Sequence, residues 1–225
     1  MRFGDSPAPT VLERASGVCG ELVLRQAGQH YEIIENGVFL MDTRNGESER
    51  LLVTEAVRRM PPGGPLLVGG LGVGFSLAAA LACPQVSRAV VIEREPAVIA
   101  WNHGPLAAVH GNALDDPRTE IVEADLLSWI EDAEPRSFHA LCLDIDNGPE
   151  WTVSDSNAYL YDDSGLAALQ RLLVPGGVLA VWSAAASEQL TAQLAGRFER
   201  AEVIEVPVAR GEPDVVLLGW GNQVG

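Results

Sequence analysis

The chain contains no lysine; all 15 of its basic residues are arginine, set against 31 acidic residues for a net charge of −16. So acidic a chain argues against a nucleic-acid partner, whose phosphates need a basic face. A cationic small-molecule acceptor would instead be drawn to this chain, although acidity also serves plain solubility. No apolar run approaches 18 residues, which argues against a membrane span. Met1 to Gly17 lacks a basic region followed by an apolar stretch, so no secretory leader is expected and a cytoplasmic location is the default. Only three cysteines occur, Cys19, Cys83 and Cys142, far apart and without a CxxC pair. With four scattered histidines, they give no disulfide framework and no metal pattern, and no metal is expected.

What is present is a periodic, 47% apolar chain of 225 residues, enough for one α/β core with a small appendage. Residues 20–42 hold β-rich stretches, Glu21–Arg25 and His30–Met41, separated by a short turn at Gln26–Gln29 and broken again by Glu35-Asn-Gly37. They predict an antiparallel unit of two or three strands. A helix is expected over Ser48–Met60 from Leu51, Leu52, Glu55, Ala56 and Arg59, stopped by Pro61-Pro-Gly-Gly64. That cluster sets the expected boundary between an N-terminal unit, 1–60, and a main domain, 61–225.

Beyond Pro65, strands expected at Leu66–Val68, Ala89–Ile92, Glu120–Val122, Ala140–Leu143 and Val178–Trp182 alternate with helices. Those helices fall near Phe75–Ala82, Ala97–Leu106, Leu126–Ile130, Asp163–Leu173 and Glu188–Phe198. This alternation predicts an α/β fold with a mostly parallel sheet. Two final β-rich runs, Ala201–Val208 and Asp214–Trp220, flank Gly211-Glu-Pro213 and suit a C-terminal antiparallel hairpin at the sheet edge.

Val68-Gly-Gly-Leu-Gly-Val-Gly74 closes the first parallel strand and opens a helix, so Gly70, Gly72 and Gly74 fall where backbone approaches a ligand. Glu93, 19 residues after Gly74, ends the next strand, where an acid can accept both ribose hydroxyls. Asp125 follows the third strand, where a carboxylate can take an adenine amino group, and Asp144 tips the fourth over the same cleft. Glu93 and Asp125 could each simply cap the helix that follows, yet four such features at successive strand ends point to a nucleoside site. The turn reads GxGxG rather than the GxGxxG of dinucleotide enzymes. Past strand four, Gly148–Thr152 and Asn157–Tyr161 form a loop in which Trp151, Tyr159 and Tyr161 could wall an acceptor and Glu150 pair with its cationic end. Those aromatics could equally pin the loop to the body. Trp182 and Trp220, inside apolar strands, read as core.

Together, Gly70-Leu-Gly-Val-Gly74, Glu93, Asp125, Asp144 and Leu173-Val-Pro-Gly-Gly-Val-Leu179 resemble the Rossmann-like class I S-adenosylmethionine-dependent methyltransferase fold. The N-terminal β unit leading into the glycine turn resembles the spermidine synthase branch of that superfamily. The resemblance, over about residues 20 to 183, implies that Glu93 holds ribose, Asp125 adenine, and Asp144 the vicinity of the transferred group. The chain also departs from that branch. Gly72 stands where spermidine synthases carry an aspartate in the glycine turn, and Val53-Thr-Glu55 stands for their Tyr-His-Glu, leaving Glu55 as a substrate residue. Asp144-Ile-Asp146-Asn147 differs from their DSSDP, with Asp146 a substitute for the second acid.

Three readings follow. The first is an enzyme that moves an alkyl group from a sulfonium nucleoside to a small amine, with Asp144 and Asp146 catalytic. Within it, Gly72 removes an ammonium partner and leaves room for a carboxylate, which tips the expectation slightly toward methyl transfer from S-adenosylmethionine. Aminopropyl transfer from decarboxylated S-adenosylmethionine to a polyamine is the close alternative. The others are a non-catalytic nucleoside-binding homologue and a purely structural protein. The N-terminal β unit also offers a surface on which two copies could pair.

Overall fold

The computed structural model describes residues 8–145, 148, 155–208 and 211–223. Four antiparallel strands open the chain in spatial order: β1 (Thr10–Ser16), β2 (Glu21–Ala27), β3 (His30–Glu35) and β4 (Val38–Asp42). Asn36 and Gly37 join β3 to β4 with φ of 51° and 80°. This is the two-residue turn, left-handed at both positions, whose twist matches that of a hairpin. β2 and β3 turn Leu22, Leu24 and Ile33 onto the core, while β1 is exposed along most of its length.

Helix α1 (Glu47–Arg59) carries the chain to the main sheet, burying Leu52, Val53, Ala56 and Val57 on one face. Glu47 and Glu49 in its first turn and Arg58 and Arg59 in its last complement the helix dipole. Then β5 (Gly64–Gly69), α2 (Phe75–Ala82), β6 (Val86–Glu93), α3 (Pro96–His103), β7 (Thr119–Glu123), α4 (Leu126–Asp132) and β8 (Phe138–Leu143) alternate. They are followed by α5 (Asp163–Leu172), β9 (Leu173–Ser183), α6 (Glu188–Arg197), β10 (Phe198–Val206) and β11 (Asp214–Gln223).

The main sheet runs β10-β11-β9-β8-β5-β6-β7, parallel from β9 to β7. β11 pairs antiparallel with both β9 and β10, so the terminal hairpin extends one edge. Successive residues of each parallel strand serve opposite cores: Leu66, Val68, Val91 and Cys142 face α1, α2 and the N-terminal sheet. Leu67, Val90, Ile92 and Leu141 face α4, α5 and α6. A sheet covered on both faces needs such near-continuous apolar strands. Chain order reverses at β5, whose neighbours are β6 and β8, and the carboxyl ends of these strands diverge there to open a crevice.

The expected architecture holds: a mostly parallel α/β sheet, a small N-terminal β unit and a C-terminal hairpin. Strand β1 was not foreseen, because Thr10–Ser16 shows no inward face to read from sequence. The second main-domain helix ends at His103 rather than Leu106. Among the described residues no helix is long and apolar enough to cross a membrane, which does not bear on strand-built spans.

Candidate active site

A cleft of about 1050 Å³, its open mouth included, lies at the carboxyl ends of β5, β6 and β8. The glycine turn forms its floor. Gly70 (φ 90°) cannot be replaced simply: a Cβ there would lie 2.3 Å from the Asp144 carbonyl oxygen. Gly70 and Gly72 line the cleft. Gly74 does not; it begins α2 in the left-handed conformation with His110 packed where a side chain would go.

Glu93 ends β6 and is buried at the cleft wall. Its Oε2 accepts the Leu71 N–H of the glycine turn at 2.9 Å, and its Oε1 accepts the Glu95 N–H at 2.8 Å. Burial pushes the Glu93 carboxyl up, and those two N–H donors work in the opposite direction. The side chain is therefore fixed before any ligand arrives, and each oxygen retains acceptor capacity for a hydroxyl.

Asp125 lines the cleft and also caps α4, its Oδ1 accepting the Ser128 N–H at 3.0 Å. The capping alternative raised from sequence is thus realised, with Oδ2 outside that bond.

Asp144 follows β8, its N–H donating to Gly69 O and its Oδ2 accepting from Ser76 Oγ at 3.0 Å. Burial, then the charges of Glu49 and Asp214, raise its carboxyl from 3.8 to about 7. Glu49, on the first turn of α1, lines the same cleft, and burial with Asp214 beside it lifts its carboxyl too. Two serines bridge the set. Ser48 Oγ lies 2.9 Å from Glu49 Oε2 and 2.7 Å from Asp214 Oδ2, while Ser76 Oγ bonded to Asp144 lies 3.4 Å from the Glu49 carbonyl. Among the described residues no arginine forms an ion pair with Glu49, Asp144 or Asp214; Arg44 pairs with Asp42 and Glu32 instead.

Not every residue singled out from sequence gathers here. Glu55 faces away from the cleft lining, held by Arg58 at 2.8 Å and Arg59 at 2.5 Å, with Arg59 reaching on to Glu202. It ties α1 to β10. Tyr161 is 5% exposed and packs in the core beneath α5, while Tyr159 is 44% exposed; neither lines the cleft. Trp182 packs against the core as expected and also lines the cleft, and its buried indole N–H has no partner among the described residues. Trp220 packs against the core, under the Arg59 guanidinium. Asp146, Glu150 and Trp151 lie outside the described residues.

Sequence reasoning missed much of the rest of the lining: Leu22, Ile33, Glu35, Leu40 and Met41 of the N-terminal sheet, Glu49 of α1, Arg94 and Glu95 after β6, and Asn157. One signal was available for Glu49, an acid six residues before Glu55 on the helix that precedes β5 and the glycine turn. No signal was available for the sheet residues, which reach the cleft only by folding back.

The fold is that of solved spermidine synthases, and about half of the chain is similar in sequence to polyamine aminopropyltransferases. A spermidine synthase solved in complex with the transition-state analogue AdoDATO superposes with a TM-score of 0.79 at 16% identity, over 94% of this chain and 73% of that one. The spermidine synthase from Thermotoga maritima gives 0.76 at 15% identity, over 94% and 72%. In sequence, the chain is 33% identical over 118 residues to a polyamine aminopropyltransferase of Mycobacterium tuberculosis, 52% of this chain and 22% of that protein. It is 31% identical over 120 residues to polyamine aminopropyltransferase 2 of Pseudomonas aeruginosa, 52% and 32%. The match thus spans only 22% and 32% of these relatives' length. No family model matches. These relatives overturn the slight preference for methyl transfer, since they are named as aminopropyltransferases. Gly72 alone was too little to decide the group transferred, because other acids, Glu49 among them, supply the cleft with negative charge.

Proposed function

We propose that this chain transfers an aminopropyl group from decarboxylated S-adenosylmethionine to an amine of a polyamine. The observation that carries the reading is the meeting of Asp144 and Glu49, without arginine partners among the described residues, in the cleft lined by the glycine turn and Glu93. Carboxyls held above their ordinary values by burial and by neighbouring carboxylates are stabilised by an arriving cation. The bound nucleoside supplies an electrophilic carbon on sulfonium; the amine nitrogen bonds to it as the carbon–sulfur bond breaks and its electron pair stays on sulfur.

The protein's part is to hold and to deprotonate. Glu93 accepts the ribose hydroxyls, the Oδ2 of Asp125 the adenine amino group, and Gly70 and Gly72 let the backbone pass close beneath. A protonated amine cannot attack, so a base must first remove its proton. Asp144, titrating at about 7, is matched to that task near neutral pH. Glu49 attracts the ammonium ends, and the net charge of −16 favours the encounter.

Incubation with decarboxylated S-adenosylmethionine and a panel of diamines and polyamines, read by mass spectrometry, tests this. The expected products are an aminopropylated amine and methylthioadenosine, with none from S-adenosylmethionine. A methylated amine would refute the reading, and nucleoside binding without turnover on any amine would leave a non-catalytic binding protein in its place.

A further inference from the structure

Glu95 stands at the N-cap of α3, a position from which a side chain can reach the first N–H groups of its own helix. It does not do so; no side-chain capping bond is made there. Instead the side chain, in a residue 6% exposed, turns to the N-terminal sheet, and both its oxygens accept the backbone N–H of Val18 at 3.1 and 2.9 Å. Val18 belongs to the turn between β1 and β2, closed by the Gly17 N–H donating to Gly20 O at 2.6 Å. The approach is tight: a Cβ on Gly17 would lie 2.6 Å from Glu95 Oε2.

The backbone of the same residue has a second task. The Glu95 N–H donates to Glu93 Oε1, while Leu71 of the glycine turn donates to Glu93 Oε2. A continuous chain of hydrogen bonds therefore runs from the Val18 turn through Glu95 to Glu93 and on to the glycine turn. It joins residues 77 positions apart in sequence across one cleft wall.

We infer that Glu95 is a positioning residue that couples docking of the Val18 turn to the orientation of Glu93, and so to nucleoside affinity. The inference rests on the nucleoside reading of the cleft given above. A rotation of the Glu95 backbone releases one Glu93 oxygen from its donor, and the Val18 contact opposes that rotation. In the other direction, a nucleoside held by Glu93 steadies the turn, because coupling between two sites is reciprocal.

The test is calorimetric titration of 5′-methylthioadenosine into the wild type, Glu95→Ala, Glu95→Gln and Gly17→Ala, with amide exchange at Val18 followed by NMR. Glu95→Ala is expected to weaken binding about tenfold, as befits a lost charge-assisted bond. Glu95→Gln, which keeps one acceptor oxygen for Val18, should recover part of that loss. Gly17→Ala, altered outside the cleft, should weaken binding by displacing the carboxylate. The nucleoside should slow Val18 exchange in the wild type and leave it unchanged in Glu95→Ala. A merely structural role lowers the melting temperature of these variants but leaves affinity and the ligand response of Val18 intact, and that result overturns the inference. Absence of binding to the wild type removes the nucleoside reading and the coupling together. Binding to the wild type with unaltered affinity in Glu95→Ala removes the coupling alone.

Discussion

Asp144→Asn should make the protein more stable and much less active. The carboxyl is raised from 3.8 in the unfolded chain to about 7 in the fold, first by burial and then by Glu49 and Asp214. A raised acid favours the folded state in its protonated form. Its contribution to stability is present below about 4 and is lost as pH climbs through about 7. Ionising it fully in the fold corresponds to at most about 4 kcal/mol, from about 1.4 kcal/mol per pH unit. Glu49 shares the strain, so asparagine should recover about 1–3 kcal/mol at pH 8 and less at pH 5. The amide still accepts from Ser76, so packing is retained. Urea titrations at both pH values measure the first effect. Turnover of the aminopropyl reaction measures the second, expected to fall about 10²–10⁴-fold when a general base is lost. A variant that is no more stable at pH 8 than the wild type, or that turns over at the wild-type rate, refutes the reasoning.

Glu93→Ala should weaken methylthioadenosine binding by about 1.5–3 kcal/mol in calorimetry. Glu93→Gln should not be silent either, because both oxygens accept backbone N–H groups and an amide nitrogen would face one of those donors; wild-type affinity in both folded variants would remove the ribose role. Glu55→Ala should lower unfolding free energy by about 1–2 kcal/mol, since it removes the largely buried carboxylate that Arg58 and Arg59 both hold, and should leave nucleoside affinity unchanged. A loss of affinity with unchanged stability would instead return Glu55 to the cleft.

Local signals in the sequence were read correctly where one element alone decides them. Phe75–Ala82 was placed residue for residue, because a glycine turn starts it and Cys83-Pro84 ends it. The Asn36-Gly37 turn was legible because few residues accept left-handed φ at two consecutive positions. The acids that end β6 and follow β8 were found for a related reason: a parallel sheet carries every strand's carboxyl end to one edge, so chain order alone brings Glu93 and Asp144 to the same crevice.

Side-chain direction and long-range return were another matter. Glu55 lies on a helix whose faces are both polar in places, and only the positions of Arg58, Arg59 and Glu202 turn it from the cleft. Trp182 sits in an apolar strand like any core residue, yet it occurs where β9 reaches the cleft rim.

By itself, then, the sequence determined the alternation of elements, the glycine turn and the acids at the strand ends, since these follow from backbone preferences and periodicity within short segments. The tertiary structure alone decided that the N-terminal sheet closes the cleft, that burial, and then Glu49 and Asp214, raise Asp144, and that Val18 holds Glu95. Each of these joins residues distant in sequence, and the energy that matters, burial of charge and a hydrogen bond across the cleft wall, exists only once the segments have met.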